Sequence, residues 1–103
     1  MLAMEYIRVD WHHDFPQEPI ILYSEMNENR WEVRKVYIFR DGPPGIASAT
    51  KSTRDVMLGE GPIPPISEIA SDSQFEPREI TKEEFEEVWS RAIQLLSQGS
   101  TWS

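Results

Sequence analysis

The 103-residue chain contains no cysteine, which excludes a disulfide framework, a thiolate metal site and a cysteine nucleophile. No basic stretch followed by an apolar run opens it, and nowhere do about 18 apolar residues follow one another. A soluble protein of the reducing cytoplasm is therefore expected. Glycine is scarce, at five residues. Gly42, Gly45, Gly59 and Gly61 form neither a Gly-x-Gly-x-x-Gly nor a Gly-Lys-Ser/Thr pattern, so they read as turn residues and not as a phosphate cradle. Internal repeats and low-complexity tracts are lacking too.

Acid is what the chain has in excess: 18 acidic residues stand against 10 basic ones, a formal net charge of −8. The signs are segregated along the sequence. Residues 1–29 carry six acids and one base, residues 30–54 two acids and six bases, and residues 60–87 nine acids and two bases. Segregation of this kind either presents opposite signs on different surfaces, steering a basic partner, or pairs the basic segment with its acidic neighbours. Nucleic-acid binding is disfavoured, because Arg30, Arg34, Lys35, Arg40, Lys51 and Arg54 are outnumbered by acids. At this length a chain buries roughly two-thirds of the surface its unfolded form exposes, enough for one domain with one modest core.

Alternation from Met4 to Trp11 places Ile7, Val9 and Trp11 on one face of a first strand and Tyr6, Arg8 and Asp10 on the other. The pattern starts at Met4, leaving it open whether Met1 or Met4 is the native start. A turn bracketed by Pro16 and Pro19 leads to a second strand, Ile20 to Asn27, and a short polar connection leads to a third, Arg30 to Arg40, as an antiparallel hairpin. In the third strand, strict alternation carries the face of Trp31 and Val33 onto Lys35, Tyr37 and Phe39. A bulge near Arg34–Lys35 instead puts Val36 and Ile38 on that face and leaves Tyr37 and Phe39 outward. The sequence leaves both open. Ile46 to Thr50 reads as a fourth strand and Asp55 to Leu58 as a short fifth. Gly59 to Pro65 is an irregular crossover, with Ser67 expected to cap a short helix through Ala70.

Thr81-Lys82-Glu83-Glu84 has the form of a capping box. Phe85, Val88, Trp89, Ala92 and Leu96 follow at helical spacing, predicting an amphipathic helix from Lys82 to Ser97 that Gly99 ends, with Trp102 loose beyond it. Strands followed by a covering helix give an α+β class: an antiparallel sheet of four or five strands with the C-terminal helix across one face. The expected core is Ile7, Val9, Trp11, Leu22, Trp31, Val33, Ile38, Phe85, Val88, Trp89 and Leu96.

Candidate chemistry is sparse. Both histidines fall in Trp11-His12-His13-Asp14, where neighbours on a strand point to opposite faces and no third ligand accompanies His12 and Asp14, so no metal and no cofactor is expected. Glu83, Glu84, Glu86 and Glu87 sit where a helix N-terminus favours negative charge. Pro62-Ile63-Pro64-Pro65 stiffens a crossover more simply than it serves as a polyproline ligand. Four tryptophans are present, three of them on apolar phases.

Several strings together resemble a family of small acidic bacterial proteins defined only as a domain of unknown function. They are Tyr6-Ile7-Arg8-Val9 with Trp11-His12 and Asp14-Phe15, Arg30-Trp31-Glu32-Val33-Arg34-Lys35-Val36 leading to Arg40-Asp41-Gly42, Pro62-Ile63-Pro64 with Glu68-Ile69, then Ile80, Phe85-Glu86 and Trp89. The likeness spans residues 4 to about 90 and carries no catalytic motif. In general character such proteins are similar to immunity proteins that neutralise toxins. The expectation is thus a non-enzymatic protein-binding module, an immunity-like inhibitor of a basic partner, acting through an acidic surface fed by Glu68, Asp72, Glu76, Glu79, Glu83 and Glu87 and a patch of Arg34, Tyr37, Phe39 and Arg40. The alternative is a small hydrolase or transferase using His12 or His13 with Asp14.

Overall fold

The computed structural model describes residues 4–100, with side chains as far as residue 97. Its elements are β1 (Glu5–Trp11), β2 (Ile21–Met26), β3 (Glu32–Ile38), β4 (Gly45–Ala47), α1 (Ile66–Ile69), β5 (Phe75–Glu79) and α2 (Lys82–Ser100). The five strands form one antiparallel sheet in the order β4-β3-β2-β1-β5. This is the expected α+β architecture, with the C-terminal helix on one face.

Period-two alternation in β1 decides what each face buries. Tyr6 shares its face of the sheet with Val36 of β3 and Ile46 of β4, and α2 covers it with Phe85, Val88, Trp89 and Ala92. Phe85 is fully buried and stacks obliquely on Tyr6 at 5.5 Å between ring centroids. The opposite face, carrying Ile7, Val9 and Met26, lies under the crossover between β4 and β5, which contributes Ile63, Ile66 and Ile69, while Phe75 adds to the cluster from β5 itself. Both faces are therefore covered, one by a long helix and the other by an irregular strap.

The capping box forms as its spacing requires: the Glu84 N–H donates to Thr81 Oγ1 at 3.1 Å, and the Thr81 N–H reaches back to Glu84 Oε1 at 3.4 Å. At the β2–β3 hairpin, Asn27 Oδ1 accepts from the backbone N–H groups of Asn29 and Trp31. Arg30 occupies the left-handed region there, at φ 64°, a position that glycine usually takes.

Several expectations are corrected. The bulge lies one residue earlier than Arg34: pairing shifts between Glu25 opposite Arg34 and Met26 opposite Glu32, so Val33 is the extra residue. Val36 and Ile38 consequently face α2, while Tyr37 is half-buried on the strap face and not outward. Trp31, expected in the core, precedes the paired part of β3 and is 43% exposed. Met26, Val36 and Ile46 fill the interior instead. Asp55 to Leu58 is not a strand; the fifth strand is Phe75–Glu79, recruited by β1. Ser67 does not cap α1, because Pro65 is its N-cap residue and no side chain bonds there. Gly99 lies within α2 and does not end it. Met1 and Trp102 fall outside the described residues.

The two sheet edges differ in what they offer a further strand. At one, Ala47 bridges to Ser52 and Thr53 donates its N–H to Ile46 O at 2.9 Å. At the other, the bonds from His12 N to Gln74 O and from Ile80 N to Tyr6 O set the even-numbered residues of β5 toward β1. Phe75, Pro77 and Glu79 point their main-chain groups outward. The Phe75 N–H is taken by Asp72 O and Pro77 has none, so Glu79 alone carries an outward donor on this strand.

Candidate functional site

Register explains where the charge of the central basic segment goes. Arg34 lies directly across from Glu25 and donates to both its carboxylate oxygens, at 2.6 and 3.0 Å, while also bonding Glu86 of α2 at 2.8 Å. Its guanidinium sits over the rings of Phe85 and Trp89, about 5 Å from each centroid. These bonds, Glu25 first, raise the Arg34 pKa against the effect of burial, and the same contact holds the Glu86 carboxyl below the usual range.

Lys35 faces the strap side, between Ser24 and Ala47 of the adjoining strands, whose small side chains leave room for its stem. Burial acts to lower its pKa, but bonds to Glu32 and Tyr37 outweigh it and keep the ammonium above the ordinary lysine value. Glu32 is the hub of this pocket: it accepts from Lys35 Nζ at 2.9 Å, from the Gly59 N–H at 2.6 Å and from Ser24 Oγ at 3.3 Å. Arg30 pairs with Glu5. Arg40 donates to the carbonyls of Phe15 and His13, and Arg54 to those of Asp41 and Pro43 while lying 3.9 Å over the Phe39 ring.

Five of the six bases of this segment are thus engaged by the protein's own acids or carbonyls; Lys51 is exposed. Of the acids of the last third, Glu86 is held by Arg34, and Glu84 by Thr81 and, at 3.8 Å, by Arg78; most of the others remain outward. Glu68, Asp72, Glu79 and Glu83 are exposed and have no ion pair among the described residues. Glu76 bonds His12 at 2.8 Å and Glu87 bonds Arg91 at 3.4 Å, both in exposed pairs of slight energetic weight. The β5 edge, with α1 beside it and the start of α2 following it, is the acid-rich end of the molecule.

The expected patch of Arg34, Tyr37, Phe39 and Arg40 is not one surface. Arg34 points toward α2, Tyr37 toward the strap, and Phe39 and Arg40 beyond the end of β3. Glu76 and Glu79 occupy opposite faces of β5, because Glu76 pairs in register with Asp10 and Glu79 with Ile7.

The histidines diverge as expected. His12 turns to Glu76. His13 has both ring nitrogens bonded to main chain: Nδ1 accepts the Phe15 N–H at 2.9 Å and Nε2 donates to Pro19 O at 2.7 Å. That arrangement fixes one tautomer and occupies the lone pair a general base needs. Trp11, His13 and Phe15 make ring contacts in series, the first pair tilted at 4.3 Å and the second stacked at 5.4 Å between centroids, with Phe15 58% exposed at the outer end. Among the described residues, no three His, Asp or Glu side chains are grouped to hold a metal ion, and no helix is long and apolar enough to cross a membrane.

Sequence reasoning missed a cavity of about 330 Å³ between sheet and strap. Its signal was the spacing of Ile63, Ile66 and Ile69, three apart, in a stretch whose prolines read only as irregular.

Comparison with known proteins adds a family. A family model described as a domain of unknown function (DUF6881) matches residues 5–94. No curated protein and no solved structure matches the chain.

Proposed function

Starting from the fact that the chain belongs to the DUF6881 family, a domain of unknown function, we propose that it is a non-enzymatic docking module of the cytoplasm. Its acid-rich end receives a basic protein partner and occludes it, in the manner of an immunity-like inhibitor. The observation that carries this reading is the internal engagement of Arg30, Arg34 and Lys35, which leaves Glu68, Asp72, Glu79 and Glu83 outward and uncompensated. Uncompensated charge of one sign speeds encounter with a partner of the other sign and suppresses wrong partners. The stack ending in exposed Phe15 supplies an aromatic anchor near this edge, since Trp11 pairs with Phe75 and its Nε1 donates to Gln74. Arg34 is engaged inside the fold, so the acids and not the arginines form the recognition surface.

Affinity capture from a lysate of the source organism, washed at low and high salt, tests this reading with three proteins in parallel. Wild type retains a basic protein at low salt and releases it at high salt. The Glu79→Lys/Glu83→Lys variant loses that protein, and the His12→Ala/His13→Ala variant keeps it. Equal retention by the lysine variant, or nothing above background at either salt, overturns the proposal. Loss of a turnover activity in the histidine variant would instead establish the hydrolase or transferase reading.

A further inference from the structure

The cavity between sheet and strap has an unusual construction. Val9 and Leu22 wall it on the sheet side, and Ile63 and Ile69 on the strap side. The strap does not fill it: α1 has no buried residue, and Leu22, Ile63 and Ile69 are only half-buried. Apolar surface left against water in this way is surface that a ligand's apolar body would remove. Nor is the gap free to collapse. The Gly59 N–H is tied to Glu32, Arg30 donates to the carbonyls of Ile63 and Pro64 at 2.8 Å each, and Pro62, Pro64 and Pro65 stiffen the segment between. A volume of about 330 Å³ held open by hydrogen bonds is a preorganised pocket near the small end of ligand sites.

Charge selects the occupant. The carboxylates lining the cavity are Glu32, Glu68 and Asp72, and no basic residue lines it. The Glu32 charge is answered by Lys35, but Glu68 and Asp72 are exposed and have no ion pair among the described residues. An anion entering here meets carboxylates alone, whereas a cation gains two. We propose that this cavity binds a small organic cation, an apolar body the size of one aromatic ring bearing a single ammonium head that lies at Glu68 and Asp72. The cation site shares Glu68 and Asp72 with the proposed docking surface but is tested apart from it, because its probe is a small molecule and its readout lies at the cavity's apolar walls.

Methyl NMR of the full chain, titrated with phenethylammonium, tests it against 3-phenylpropionate as the anionic counterpart and phenethyl alcohol as the neutral one. Phenethylammonium should give saturable shifts at the methyls of Val9, Leu22, Ile63 and Ile69, with the anion at least about tenfold weaker. The Glu68→Gln/Asp72→Asn variant should bind the ammonium about fivefold more weakly and the alcohol unchanged, since only two exposed charges are removed. Displacement of phenethylammonium by a peptide whose one cation is a lysine places the natural ammonium on a protein side chain; failure to displace it leaves a free amine as the ligand. The proposal is overturned by an absence of saturable shifts up to about 10 mM, by equal binding of the anion, or by unchanged ammonium affinity in the double variant.

Discussion

Arg30 and Ile63 hold one another reciprocally: the Ile63 N–H donates to Arg30 O at 2.8 Å, and Arg30 Nε donates to Ile63 O at 2.8 Å. The second bond exists because arginine stands where the hairpin's geometry favours glycine. A non-glycine residue at φ 64° carries strain of order 1 kcal/mol, and the guanidinium's bonds to the strap offset it.

Arg30→Gly therefore separates strain from clamping. The hairpin relaxes, but the strap loses two charge-assisted bonds, each contributing roughly 1.5–3 kcal/mol. Amide exchange in the strap around Ile63 should accelerate by about tenfold or more, while the central amides of β1, β2 and β3 keep their protection. Hydrogen exchange followed by NMR reads both. Unchanged exchange at Ile63 would mean that apolar packing alone holds the strap.

Arg34→Ala leaves Glu25, whose side chain is 7% exposed, buried without its cation. Loss of one partner of a buried pair destabilises by about 3–5 kcal/mol, whereas the double change Arg34→Met/Glu25→Met removes both charges and should recover most of that. Urea unfolding of the two variants beside wild type provides the comparison.

Tyr6 sets an alkaline limit. Burial, then the hydrogen bond to Glu25, raises its pKa from 10.0 to about 12. The folded state thus favours the neutral phenol, so its stabilisation is complete below pH 10 and disappears as the pH rises toward 12. Thermal melts from pH 9 upward should fall more steeply for wild type than for Tyr6→Phe, which keeps the ring against Phe85. On the acid side, the bond from Arg8 lowers Asp10, and the bond from Arg34 lowers Glu86. Stability from these groups is present above the ordinary carboxylate range and is lost as the pH drops through their lowered values.

Aromatic residues of similar size should differ sharply in weight. Phe85→Ala, at a fully buried site, is expected to destabilise by about 3–5 kcal/mol. Trp31→Ala, at a residue 43% exposed, should stay under about 1 kcal/mol. Denaturant midpoints for the pair decide it.

The features legible in the sequence were those decided by near neighbours. Alternation in β1 and the Thr81–Glu84 box depend on residues two or three apart, and both form as read. Which face the helix covers is not decided so locally: α2 packs on the Tyr6 face, while Ile7 and Val9, expected to share its core, lie on the other. Trp31 and Tyr37 were misplaced because one extra residue, Val33, changes which side chains share a face, and a bulge is chosen jointly by two strands. Phe75–Glu79 offers one large apolar residue and a proline, so nothing local marks it as a strand; pairing with β1 makes it one. The charge segregation was visible in the chain, but the partner of each base followed from that same register.

The place of β1 between β2 and β5 also has a consequence for the order in which the molecule is made. β1 leaves the ribosome before the other four strands of its sheet, yet its second neighbour begins only at Phe75. Until then one edge of β1 stays unpaired, and Ile7 and Val9 await the strap that follows β4. Contacts this distant in sequence form slowly, so nascent chains stopped short of residue 75 expose a hydrophobic strand edge, the kind of surface chaperones and aggregates both bind.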